Sequence, residues 1–192
     1  MKKFFYVASA FTLLAFFWFD LSTAAQDADP EAQQVEIRAA VLAHMRLGSG
    51  HYIVHCRRAF GGCEARARRM ADLFVRAGHD HDVDPGLLVA IALRESGGNP
   101  DAVGQRGELG LMQLHPESRA GRLAARLCDE SPRECPAILV DGAARVLRAS
   151  IDRCETVERG LAMYNGGRCD SEHGAVYARS VLARLERIRN AS

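Results

Sequence analysis

Residues 84–95 read Asp84-Pro85-Gly86-Leu87-Leu88-Val89-Ala90-Ile91-Ala92-Leu93-Arg94-Glu95. An aspartate followed by proline is the start signal of a helix: the carboxylate caps free backbone N–H groups, and proline has no N–H to lose at the first helical position. Along this segment Leu88, Ile91, Ala92 and Glu95 fall at i, i+3, i+4 and i+7, so the glutamate continues an apolar stripe. A carboxyl drawn out of water holds its proton toward neutral pH, which is what a general acid requires. Ser96-Gly97-Gly98-Asn99-Pro100 then ends the helix in a turn and leaves Glu95 at the lip of a cleft.

Two further blocks follow in order. Gly104-Gln105-Arg106-Gly107-Glu108-Leu109-Gly110-Leu111-Met112-Gln113-Leu114 is a glycine-spaced loop, and Leu161-Ala162-Met163-Tyr164-Asn165-Gly166-Gly167 lies near the end of the chain. Together with Glu95-Ser96, the Gly110 to Gln113 and Tyr164 to Gly167 blocks resemble the signature of the soluble-type (SLT) lytic transglycosylases, which have a lysozyme-like fold. The resemblance runs from about Arg66 to Ile188.

That resemblance implies an all-α, lysozyme-like single domain acting on the peptidoglycan glycan strand between N-acetylmuramic acid and N-acetylglucosamine. Glu95 is then the catalytic acid. Ser96, Glu108, Met112, Gln113, Tyr164 and Asn165 are the expected substrate-binding residues. Three positions depart from the commonest pattern of the family: Gly104 for serine, Gly98 for an aromatic residue and Glu108 for alanine. Glu108 matters most, because a second carboxylate opposite the acid would position water and turn the reaction into hydrolysis. Two alternatives therefore stay open, a hydrolytic muramidase on the same bond and a non-catalytic wall-binding or secretion-assembly protein. By analogy, a small domain of this type suits an enzyme that opens the wall for a secretion, pilus or conjugation apparatus.

Residues 1–25 have the layout of a cleaved signal peptide: Lys2 and Lys3, an apolar stretch from Phe4 to Phe19, then Ser22-Thr23-Ala24-Ala25. The stretch is shorter than the roughly 20 apolar residues that a membrane span needs. The expectation is a periplasmic or secreted protein with no stable membrane anchor. Cutting after Ala25 leaves 167 of the 192 residues, with 23 arginines, 23 acids and no lysine. A balance near neutrality lacks the basic surplus of a nucleic-acid binder, and the missing lysines exclude Schiff-base chemistry in the mature chain. No cofactor is expected.

Six cysteines remain: Cys56, Cys63, Cys128, Cys135, Cys154 and Cys169. An even number in an exported chain points to disulfides, and no Cys-x2-Cys pair suggests a metal site. Local pairing of Cys56 with Cys63, Cys128 with Cys135 and Cys154 with Cys169 would staple three loops. His51, His55, His79 and His81 read as solvated loop residues.

Apolar periodicity predicts further helices over 31–47 (Val35, Ala39 and Leu42 on one face), 64–77 (ending at Gly78), 138–153 (Val140, Ala143, Ala144, Leu147 and Ile151), 156–164 and 175–189 (Tyr177, Val181, Leu185 and Ile188), with another starting near Gly110. Tyr52 to Val54 is a scrap of strand at most. The organisation expected is a signal peptide at 1–25, an N-terminal extension or additional helix at 26–63, and the transglycosylase-like domain at 64–192.

Overall fold

The computed structural model describes residues 29–47, 61–127 and 135–190. The segment expected to be a signal peptide, the 48–60 stretch with its expected scrap of strand, His51, His55, Cys56 and Cys128 lie outside the described residues. Seven helices make up the rest: α1 Pro30–Leu47, α2 Gly62–His81, α3 Pro85–Glu95, α4 Arg119–Leu127, α5 Pro136–Cys154, α6 Val157–Gly166 and α7 Glu172–Arg189. Among the described residues, strand pairing is limited to two isolated bridges, Val103 with Leu109 and Leu109 with Leu114.

The helix α3 is the centre of the molecule. Asp84 caps it, accepting a hydrogen bond from Gly86 N at 2.7 Å, and proline occupies its first turn, as the sequence predicts. Every residue from Pro85 to Leu93 is buried, so this is a core helix and not an amphipathic one. α2, α7 and α1 pack around it. Its contact with α7 is antiparallel: Asp84 pairs with Arg189 at 2.6 Å, and a β-carbon on Gly86 would press on Leu185.

The predicted stripes of α5 and α7 are the buried ones: Val140, Ala143, Ala144, Leu147 and Ile151 on α5, and Tyr177, Val181, Leu185 and Ile188 on α7. Thr156 and Ser171 cap α6 and α7, accepting from Arg159 N and Gly174 N. Three expectations need correction. α1 buries Ile37, Ala40 and Val41, while Val35 and Ala39 face solvent and the Leu42 side chain lies outside the described residues; the reading tracked the weaker of two overlapping stripes. Because that face packs on α2 and α3, α1 joins the domain's core.

α2 also runs through Gly78 to His81, which puts His79 and His81 in its last turn and not in a loop. Gly78 is there for space: a β-carbon would lie 2.6 Å from Val83 O. His81 Nε2 meets Asp141 of α5 at 2.6 Å. Finally, no helix starts near Gly110. Gly110 and Gln113 both have positive φ, 64° and 44°, and Leu109 exchanges two backbone hydrogen bonds with Leu114, so the segment is a turn. The helix begins instead at Arg119, after Ser118 Oγ accepts from Gly121 N. α4 was missed because its buried face is small residues, Ala120, Gly121 and Ala124, with Ala120 set tightly against Gly142 of α5.

Cys154 and Cys169 form a disulfide with their Cα atoms 5.5 Å apart, as the local pairing predicts. Cys63 and Cys135 are disulfide-bonded too. The Cys56–Cys63 and Cys128–Cys135 pairings involve residues outside those described.

Candidate active site

Glu95 is the last residue of α3 and is half-buried, one position beyond the exposed Arg94 that follows the buried run of that helix. The chain then turns sharply. Gly97 and Gly98 take left-handed φ of 64° and 77°, and Gly98 N returns to Ala92 O at 3.2 Å. Ser96 Oγ lies 3.0 Å from Ala92 O and 2.9 Å from Leu111 O, sharing its one hydrogen between them. The Ser96 hydroxyl therefore ties the helix end to the following loop.

That loop, 102–114, is held by its own backbone: Gly104 N donates to Glu108 O at 2.8 Å, Gly110 N to Ala102 O at 2.9 Å and Leu109 N to Leu114 O at 2.9 Å. Gln113 turns its amide inward, with Nε2 donating to Gly110 O at 2.9 Å and to Ala102 O at 3.3 Å. A non-glycine residue in left-handed backbone costs on the order of 1 kcal/mol, and these bonds hold Gln113 there. Met112 is 1% exposed. Its side chain supports the loop from within the core and offers no surface to a ligand, against the expectation from its motif position.

Opposite stand α6 and α7. Tyr164 and Tyr177 stack with ring centroids 6.5 Å apart and planes 24° from parallel. Both hydroxyls are buried and lack a well-formed hydrogen bond. The Tyr177 phenol nevertheless faces the Glu95 carboxyl and favours its charged form. Burial pushes both phenols up, and the neighbouring Glu95 charge adds to it. Both stay protonated as donors. The Arg94 guanidinium lies over the Tyr177 ring, 5.8 Å from its centroid. Asn165, next to Tyr164, is exposed.

The two carboxylates have opposite environments. Burial pushes the Glu95 carboxyl above the usual range; the Tyr177 hydroxyl and Arg94 oppose this, and Glu108 adds to it. Glu108 is held below that range, chiefly by its own backbone N–H and that of Arg106. Arg106 clasps it, with N at 2.9 Å from Oε2 and Nε at 2.8 Å from Oε1. Within one site, one acid has its proton affinity raised and the other has it lowered.

A family model, the Transglycosylase SLT domain, matches residues 72–180, more than half of the chain. This chain belongs to the transglycosylase SLT domain family. Its helical architecture is accordingly lysozyme-like. Among similar curated proteins, the "Transglycosylase" of Enterobacteria phage PRD1 is 31% identical over 99 residues, covering 52% of this chain and 35% of the phage protein. The "Endo-type membrane-bound lytic murein transglycosylase A" of Klebsiella pneumoniae subsp. pneumoniae is 47% identical over 57 residues, 30% of this chain and 28% of that protein. The protein of the same name from Salmonella paratyphi B is 46% identical over 57 residues, with the same coverage. The matched segments thus span about a third of those proteins' lengths.

The structure gathers Glu95, Glu108, Gln113, Tyr164 and the Ser96 clamp around the end of α3. It adds Tyr177 and Arg94, which the sequence reading placed in a core stripe and a helix terminus. A tyrosine on a buried stripe was the available signal, since a phenol hydroxyl in a core needs a partner. Among the described residues no group of histidines, cysteines and acids is arranged to hold a metal ion, and no helix is long and apolar enough to cross a membrane.

Proposed function

We propose that this protein is a peptidoglycan lytic transglycosylase in which Glu95 acts alone as acid and then base. The observation that carries the reading is the half-buried Glu95 carboxyl, whose proton affinity is raised by burial at the end of a core helix and which faces the tyrosine pair of α6 and α7. Glu95 gives its proton to the oxygen joining N-acetylmuramic acid to N-acetylglucosamine, and the C1–O bond breaks. The acetamido oxygen of the muramyl sugar stabilises the cationic C1. Glu95, now a carboxylate, removes the proton from the C6 hydroxyl, and O6 closes on C1. The product is a 1,6-anhydro end, and no water is consumed.

The buried phenols of Tyr164 and Tyr177 are the donors for charge on Glu95 during this cycle. Asn165 is the exposed group that orients the sugar. Hydrolysis would need Glu108 to activate water. Its two oxygens already accept from Arg106, and its low proton affinity makes it a weak base. The address expected from residues 1–25, periplasmic or secreted, places the enzyme at its substrate. The test is a zymogram on purified sacculi: Glu95→Gln should clear no wall, while Glu108→Gln keeps clearing it. Retained clearing by Glu95→Gln would refute the assignment of the acid.

A further inference from the structure

Beside the reaction centre stands a group of three arginines, of which Arg94 also acts on the Glu95 charge. Arg94 lies in the last turn of α3, exposed, with its guanidinium over the Tyr177 ring. Arg184 lies two turns beyond Tyr177 on the same face of α7, and Arg187 one turn further. Among the described residues none of the three makes an ion pair, and Glu186, the acid between the last two, pairs with neither. The next arginine along, Arg189, is neutralised by Asp84. The Nε of Arg184 is buried with no hydrogen-bond partner. Burial and its neighbours Arg187 and Arg94 depress the Arg184 guanidinium. A chain whose charges otherwise balance therefore keeps a self-repelling cationic cluster that ends at the reaction centre.

We propose that Arg94, Arg184 and Arg187 form a subsite for the carboxylates of the peptide stem carried by the muramyl sugar. This rests on the peptidoglycan reading above. The stem leaves the same sugar whose C1 reacts beside Glu95, so it starts at Arg94. From Tyr177 to Arg184 is seven residues of helix, about 10 Å, and to Arg187 about 15 Å. An extended peptide of four residues spans up to about 14 Å. With the length of the arginine side chains added, stem carboxylates reach all three guanidinium groups, whose planar forks match a carboxylate. An anion there also relieves the repulsion among the arginines and gives the orphaned Arg184 Nε an acceptor.

The test compares two substrates: sacculi with intact stems, and the same glycan strands after an amidase has removed them. Wild-type protein should cut and co-sediment with stem-bearing strands preferentially, and the preference should shrink as salt rises. Arg187→Ala, at an exposed position, and Arg184→Met/Arg187→Ala should lose about five- to ten-fold in cleavage rate and in co-sedimentation on stem-bearing strands. Both should stay within two-fold on stripped strands. Equal losses on both substrates, no loss on either, or a wild type indifferent to stems would overturn the subsite. If the wild type cuts neither substrate, the transglycosylase reading fails, and co-sedimentation alone decides the subsite.

Discussion

The Glu108 carboxylate fills the space that a side chain on Gly104 would need. A β-carbon there would collide with Glu108 Oε2 and would lie 2.7 Å from Gln113 Oε1. The two departures from the family pattern in this loop are therefore one feature, because the acid is accommodated by the missing side chain. Gly104→Ala should push Glu108 out of its Arg106 clasp and destabilise the fold by about 1 kcal/mol or more. Adding Glu108→Ala should recover a substantial part of the loss. Denaturant unfolding of the four proteins in the cycle checks this, and strict additivity would separate the two positions.

The raised proton affinity of Glu95 also sets a stability trend. The folded protein binds that proton more tightly than the unfolded chain, so Glu95 contributes stability that is fully present below the ordinary carboxylate value of 4.5. It is lost as pH rises from there through the folded value. Glu95→Gln lacks this loss. Its stability relative to wild type should rise between acid and neutral pH, while its wall-lytic rate falls by roughly 10²–10⁴-fold. Unfolding midpoints at pH 4 and pH 8 measure the first effect.

The activity profile should respond to the neighbours of Glu95 with opposite signs. Burial holds its carboxyl up; Tyr177 and Arg94 pull it down, Glu108 pushes it up, and Tyr164 faces it as a neutral phenol. Tyr177→Phe and Arg94→Met should therefore move the high-pH limb of activity to higher pH, and Glu108→Gln to lower pH. A common direction for all three variants would contradict the electrostatic account of the site.

The Cys154–Cys169 bridge joins the end of α5 to the loop that leads from Tyr164 and Asn165 into α7. Cys154→Ser/Cys169→Ser should cost about 3 kcal/mol of stability, the scale for closing a loop of this length. Thermal unfolding under non-reducing conditions tests it, and an unchanged Tm would leave the helix packing alone to hold α6.

The core of this fold was legible because the long stripes of α5 and α7 carry large apolar residues at unambiguous spacing, and because Asp84-Pro85 marks the start of α3. α4 was missed: its buried face is alanine and glycine, which contribute through closeness of approach and carry no large apolar residue to mark a core stripe. The loop at Gly110 was misread as a helix start because its conformation depends on Leu109 pairing with Leu114 and on Gln113 adopting left-handed backbone. In the site, Glu95 announced itself by a charge on an apolar stripe. Met112 did not reveal that it points inward, nor Tyr177 that its phenol faces the acid, since both depend on how α3, the loop and α7 meet.

The central claim is that Glu95 closes the C6 hydroxyl onto C1 and that Glu108 activates no water. Digesting sacculi in water enriched in heavy oxygen, and weighing the released muropeptides, tests it most directly. The account predicts 1,6-anhydro muramyl ends, lighter than hydrolysis products by one water, without a reducing terminus and without label at C1. Predominantly labelled, reducing muramyl ends would contradict it and make Glu108 the base that activates water.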